Sequence, residues 1–201
     1  MQIEEIKLNK IAKILVGLPL KRYMDKEDAI NQKVIENKSI DELDEQFEFE
    51  EYNISKNIKK QFYSQEHDIL YKVQQQSFAK EITTETGAII PNSYIIIRVD
   101  NKKVNSKFLA NYHNDPRVDY EIQRKIDSTT IMKVNSSILK DLTVILPEKD
   151  IQDINSELIT KINERINLKK KSIDNDEQMI HSLFDKIIGD KYEKKHNTER
   201  C

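Results

Sequence analysis

Apolar positions along the chain follow two rhythms. Between residues 66 and 100 they come in short dense runs, first Ile69-Leu70-Tyr71 with Val73, then Ile95-Ile96-Ile97 with Val99. Such runs, rich in β-branched residues and punctuated by Gly87 and Pro91, predict strands. Pro91 lacks the amide hydrogen a ladder needs, so it marks a strand start or an edge. From Val104 the spacing widens to a helical period through Phe108, Leu109 and Tyr112, and Asn114-Asp115-Pro116 supplies the stop. Ile122 and Ile126 predict a second short helix. A β-rich stretch follows, Ser136-Ser137 opens another helix, and Thr143-Val144-Ile145-Leu146 reads as a closing strand ended by Pro147.

The longest periodic segment comes last. From Lys149 to Ile188 there is neither glycine nor proline, and Ile151, Ile154, Leu158, Ile162, Ile166, Ile173, Ile180, Leu183, Phe184 and Ile187 share one helix face. A helix of that extent is about 60 Å long. One small domain cannot cover such a stripe, so a coiled-coil partner is expected, with Lys169 and Asp176 weakening the middle of the seam. The competing cover is an N-terminal helix over residues 3–16, carrying Ile3, Ile6, Ile11 and Ile14, which is too short for the task. The expected organisation is α+β: a mixed-sheet domain over 1–148, a long helix over 149–188 and a flexible tail over 189–201.

Composition narrows the function. The chain has 201 residues, 34% of them charged, and no apolar stretch long enough to span a bilayer, so a soluble cytoplasmic protein is expected. Its three glycines, Gly17, Gly87 and Gly189, are too scattered for a phosphate-cradling loop. Cys201 is the single cysteine, which excludes an internal disulfide and a cysteine zinc site. His67, His113, His181 and His196 show no ligand spacing, so neither a metal nor a cofactor is expected. Carboxylate pairs such as Asp119 with Glu121, or Asp68 with Glu81, are what 35 acidic residues produce by chance. Asn114-Asp115-Pro116-Arg117 lacks the second proline and the aromatic of an adenine methyltransferase motif. No enzyme motif is left.

Charge is unevenly distributed. Residues 1–55 hold 8 basic and 13 acidic side chains, residues 56–150 hold 15 and 12, and residues 151–201 hold 10 of each. The run 41–51 carries seven carboxylates and would repel a polyanion, as a solvated segment or as an acidic patch for a protein partner. The basic middle mixes cations with amides and hydroxyls: Lys72 with Gln74, Gln75, Gln76 and Lys80; Arg98 with Lys102 and Lys103; Arg117 with Tyr120, Gln123, Arg124 and Lys125; and Thr129, Thr130 and Lys133. Lysine and arginine hold phosphates, whereas amides and arginine read base edges. The glutamine run is the leading candidate for base reading, against the alternative of a solvated polar loop.

Four segments, in order, resemble the specificity subunits of type I restriction-modification systems. Leu8-Asn9-Lys10-Ile11-Ala12-Lys13-Ile14 with Gly17 is similar to the family's opening. His67-Asp68-Ile69-Leu70 looks like its "G-D-I-L" strand with histidine in place of glycine, and residues 108–116 look like its "Y-L-x-Y" helix ending in proline. Asp127-Ser128-Thr129-Thr130, Ile138-Leu139-Lys140-Asp141-Leu142, Ile145-Leu146-Pro147 and Asp150-Ile151-Gln152-Asp153-Ile154 are similar to the closing motif. The resemblance covers residues 8–188, leaves the region around 20–60 unmatched, and contains domain and helix once where a complete subunit repeats them. It implies a non-catalytic half-subunit, natural or cut from a longer one. The domain would read one half of a bipartite DNA site. The helix would serve as a spacer and dock adenine methyltransferase subunits, joined by a restriction subunit. Apart from the resemblance, the uncovered apolar stripe of 149–188 leads us to expect a homodimer. The alternative is a coiled-coil adaptor that binds protein and no DNA.

Overall fold

In the computed structural model, residues 3–24, 26–36, 47–73, 78–84, 86–126 and 134–189 are described. The chain opens with β1 (Ile3–Lys7), a single turn α1 (Leu8–Ile11) and β2 (Ala12–Val16). The helix expected over 3–16 is therefore replaced by two strands around a turn. Tertiary pairing overrides the helical spacing here, because β1 finds a partner strand near the end of the domain and β2 finds one in the central sheet.

A hairpin follows that the sequence pattern does not announce: β3 (Ala29–Ile35) paired along its length with β4 (Phe49–Ser55). Part of the acidic run is thus a strand, with Glu50 and Glu51 exposed on β4 and Phe47 buried just ahead of it. Residues 41–46 of that run lie outside the described residues.

The isoleucine runs become β5 (Asp68–Lys72) and β7 (Tyr94–Val99), joined by the short β6 (Ala79–Glu81) in a sheet of order β2-β7-β5-β6. Every named ladder is antiparallel, and parallel pairing enters only through the isolated bridges Leu18↔Pro91 and Val34↔Ile89. Both faces of the sheet are covered, which explains why the runs are continuous rather than alternating. Ile69, Tyr71, Ile95 and Ile97 pack with Leu8, Leu109, Ile122 and Val144 on one face. Leu70, Tyr94 and Ile96 pack with Ile35, Phe47, Ile82 and Ile90 on the other. Gly17 is where β2 leaves the sheet, and a Cβ there would lie 2.1 Å from the Pro91 carbonyl oxygen, so only glycine allows the two segments to cross so closely.

Beyond the sheet come α2 (Ser106–His113), α3 (Pro116–Arg124), α4 (Ser136–Lys140) and β8 (Thr143–Pro147), which pairs with β1. Asn105, Asp115 and Asn135 cap these helices with side-chain acceptors. The final helix, α5 (Lys149–Phe184), ends in a π-helical turn over Asp185–Gly189. The chain divides into two compact units, Met1–Glu157 and Leu158–Cys201. In the first, Gln152 and Ser156 bury the opening turns of α5 against the sheet domain. In the second, Leu158, Ile162, Ile166, Ile173, Ile180, Leu183 and Ile187 are all exposed.

Candidate nucleic-acid interface

Strand order sorts the polar residues between two ends of the central sheet. Lys72 pairs with Tyr94 at one end of β7, and Asp68 pairs with Arg98 at the other. Along the strand these ends are about 14 Å apart.

The first end gathers loops. The hairpin connection between β5 and β6 leaves here, closed by Lys72 N–H donating to Phe78 O (2.8 Å) and Val73 N–H donating to Ser93 O (3.1 Å). Asn114, just past α2, fastens the far side of that connection: its Oδ1 accepts from Ala79 N–H (2.7 Å) and its Nδ2 donates to Ala79 O (2.8 Å). Asp115 and Arg117 follow as an exposed pair 2.7 Å apart, and this contact holds the Asp115 carboxyl down at about 2. Beside Asn92 and Ser93, a cavity of about 600 Å³ opens between Lys21 and Arg22 on one side and Glu36, Glu50 and Tyr52 on the other. Sequence reasoning passed over Lys21 and Arg22. Nothing in their local pattern marks them, and only the crossing at Gly17 brings them to this end.

The other end anchors the long helix. Asn105 N–H donates to Gln152 Oε1 (2.9 Å), Asn105 Nδ2 donates to Asp153 Oδ1 (2.6 Å), and Ser156 Oγ donates to Asn105 Oδ1 (3.0 Å). Arg98 is bound here as well, gripping the buried Asp68 carboxylate through Nε and Nη2, both at 2.6 Å. His67, with φ of +68°, precedes this pair and holds Glu81 at 2.8 Å through Nδ1.

The expected DNA-binding residues therefore do not form one cluster. Lys72 and Arg117 lie at the loop end. Lys102 and Lys103 occupy the exposed turn after β7, beside the helix anchor. Lys80 lies on β6 with its ammonium 5.0 Å from the centre of the Phe47 ring. Arg124 and Lys125 end α3, with Arg124 against the Tyr120 ring; Lys125 Nζ donates to Asp141 O, which also receives Lys7 Nζ at 2.7 Å. Those two ammonium groups sit at the negative C-terminus of α4, so Lys125 has a structural role whatever else it contacts. Gln74, Gln75, Gln76, Thr129, Thr130 and Lys133 lie outside the described residues. Among the described residues no group of His, Cys, Asp or Glu is arranged to hold a metal ion, and no helix is long and apolar enough to cross a membrane.

No protein-family model matches the sequence, and no curated protein matches it. The solved structures do match. The HsdS subunit from Thermoanaerobacter tengcongensis aligns with a TM-score of 0.67 at 10% identity, covering 94% of this chain and 49% of its own. The fold is that of a type I S subunit. A chain from a type I R-M system described for its complex assembly and conformational transition gives 0.67 at 11% identity over 92% of this chain and 49% of its own. The type I restriction-modification S subunit from M. genitalium gives 0.53 at 13% identity over 87% of this chain and 42% of its own. The chain spans about half the length of the solved chains it matches, and sheet domain and long helix are both contained in that half.

Proposed function

We propose that the chain reads DNA as a half-size specificity subunit of a type I restriction-modification system, without catalysis or cofactor of its own. In this reading, adenine methyltransferase and restriction subunits are separate chains that it directs to a bipartite site in the cytoplasm. Coverage carries the proposal: 94% of the chain follows 49% of an HsdS chain, one domain and one helix, at a TM-score of 0.67. The loop end of the sheet supplies the DNA-facing surface and α5 supplies the spacer. Two copies paired through the exposed stripe of α5 would present identical domains related by a two-fold axis, so their target is an inverted repeat with an unread spacer.

Selection from a pool of randomised duplexes by the purified full chain tests this. The expected product is a bipartite inverted repeat, bound with an affinity that falls steeply as salt rises. No enriched motif and no salt-dependent binding would overturn it. The adaptor reading has one observation in its favour. Glu36 O accepts from the Tyr94 hydroxyl and Phe47 lies under the Lys80 ammonium, so both flanks of the acidic segment are tied beside β6 and β7, where their charge opposes phosphate. A flat salt response would favour it.

A further inference from the structure

Three segments meet around the cavity beside Asn92 and Ser93, and backbone bonds hold them together. Leu18 N–H, just past β2, donates to Ile90 O (2.8 Å), and Asn92 N–H donates back to Leu18 O (2.9 Å). Ile35 N–H donates to Ile89 O (3.0 Å) and ties in the hairpin of β3 and β4. The cavity of about 600 Å³ is thus preformed, and its volume is that of a small-molecule site. One wall consists of donors. Lys21 and Arg22, adjacent on the 3-10 turn Leu20–Arg22, are exposed and form no ion pair among the described residues. Asn92 adds a side-chain amide, and Ser93 Oγ is buried without a hydrogen-bond partner. The facing wall consists of acceptors: Glu36 and Glu50 bring carboxylates, and the Tyr52 hydroxyl donates to Glu50. Leu20, Val34, Ile35 and Pro91 supply apolar lining.

We propose that this cavity binds a single nucleotide, with its phosphate on Lys21, Arg22, Asn92 and Ser93 and its base on the apolar lining beside Tyr52. Two neighbouring cations match a phosphate monoester, which carries about −1.5 to −2 charge at neutral pH. The Arg22 guanidinium can hold two of its oxygens at once. A buried hydroxyl left unpaired is costly in the free protein, and a turn about the Ser93 Cα–Cβ bond would give it a phosphate oxygen. The carboxylates keep a second phosphate out of the remaining space, because like charges would face each other there. They also select the base: an ionised carboxylate only accepts, so it favours guanine, adenine or cytosine, which bear amino groups, over thymine, which bears none. The same unit exists free as a nucleoside monophosphate or within a strand as an unpaired nucleotide.

Calorimetric titration of the full chain with dGMP, dTMP, deoxyguanosine and inorganic phosphate tests the proposal. dGMP should bind, dTMP about tenfold more weakly, and deoxyguanosine and phosphate more weakly still. No heat with dGMP, or phosphate binding as well as dGMP, would overturn it. Lys21→Gln with Arg22→Gln should weaken dGMP binding about tenfold or more, and Glu50→Gln should narrow the preference for dGMP over dTMP. Ser93→Ala is the variant that keeps the fold. It removes a hydroxyl with no partner in the free protein, so the melting temperature without ligand should hold or rise while dGMP affinity falls about fivefold. A lower melting temperature with unchanged affinity would make Ser93 structural and overturn its place in the site. Competition identifies the source of the nucleotide. Displacement of dGMP by a duplex with one unpaired guanine, and not by the matched duplex, assigns the cavity to a nucleotide in a strand; displacement by neither assigns it to a free one. The site stands apart from DNA reading, since a chain that binds dGMP but selects no duplex overturns that reading alone, and a chain that selects a motif without binding dGMP or the unpaired guanine overturns the site alone.

Discussion

Arg98 and Asp68 face each other across β7 and β5 as a two-pronged ion pair whose carboxylate has no solvent exposure, with Gln65 N–H donating to the same carboxylate. Such a pair is costly to break from one side, because the remaining charge stays buried without compensation. Arg98→Met should therefore lose about 3–5 kcal/mol of folding stability. For a chain of this size that lowers the melting temperature by about 10 °C or more. Adding Asp68→Asn should recover part of the loss, as urea denaturation of the two variants will show.

His113 makes stability depend on pH in mildly acidic solution. Its ring is fully buried, and burial pushes its pKa down from 6.5 to about 4 although Nδ1–H donates to Leu109 O. As pH falls below 6.5 the unfolded chain takes up the proton first, so stability declines between about pH 6.5 and 4 and the loss is complete below. The linked loss is about 3 kcal/mol. Asp115 is held low by Arg117 and Asp153 by Lys149 and Asn105; their contributions are lost only as pH drops beneath 3.8. His113→Leu should flatten the slope of urea stability between pH 7 and 4.5.

Asn114 is the residue that holds the start of β6. Asn114→Ala removes both bonds to the Ala79 peptide and should cost about 1–3 kcal/mol. The local sign is faster hydrogen exchange at the Ala79 amide while exchange at Ile96 keeps its protection. If Gln74, Gln75 and Gln76 read bases, the same change should also blur the motif enriched from randomised duplexes. Asp115→Ala, at the same helix junction without contact to β6, should not.

Base reading and phosphate holding separate by two triple substitutions. Gln74, Gln75 and Gln76 to Ala should relax sequence preference, each amide pairing being worth about 1–3 kcal/mol of discrimination. Arg124, Lys125 and Lys133 to Ala should weaken binding to all duplexes alike and flatten the salt slope by about one unit per lost phosphate contact. Unchanged binding in both would move the DNA surface elsewhere, with Lys21 and Arg22 the next candidates.

Much of the sheet was legible because β5 and β7 are buried on both faces, which leaves unbroken apolar runs. The hairpin of β3 and β4 was not. Its exposed positions include Lys33, Glu50 and Glu51, and its strands pair with each other, so the segment reads as a charged loop. Ile3 and Ile6 misled because a helical spacing was satisfied by a strand whose partner is distant in sequence. The candidate interface suffered from the same blindness to distance. Arg98 looked like a phosphate ligand until Asp68, 30 residues earlier, was found to hold it. Lys72 and Lys103 belong to opposite ends of a sheet whose order no local pattern reveals.

The pairing of β1 with β8 also constrains the order in which the molecule can come together. Lys7 Nζ reaches Thr143 Oγ1 across 136 residues of chain, and the whole ladder from Ile3 to Lys7 is of that kind. During synthesis β1 must wait, edge exposed, until β8, just ahead of α5, has been made. Contacts so remote in sequence slow folding and prolong the life of open strand edges. The stripe of α5 emerges only after β8, so a nascent chain that closes its ladder promptly offers its apolar helix from a finished domain. One that lags offers two sticky surfaces at once.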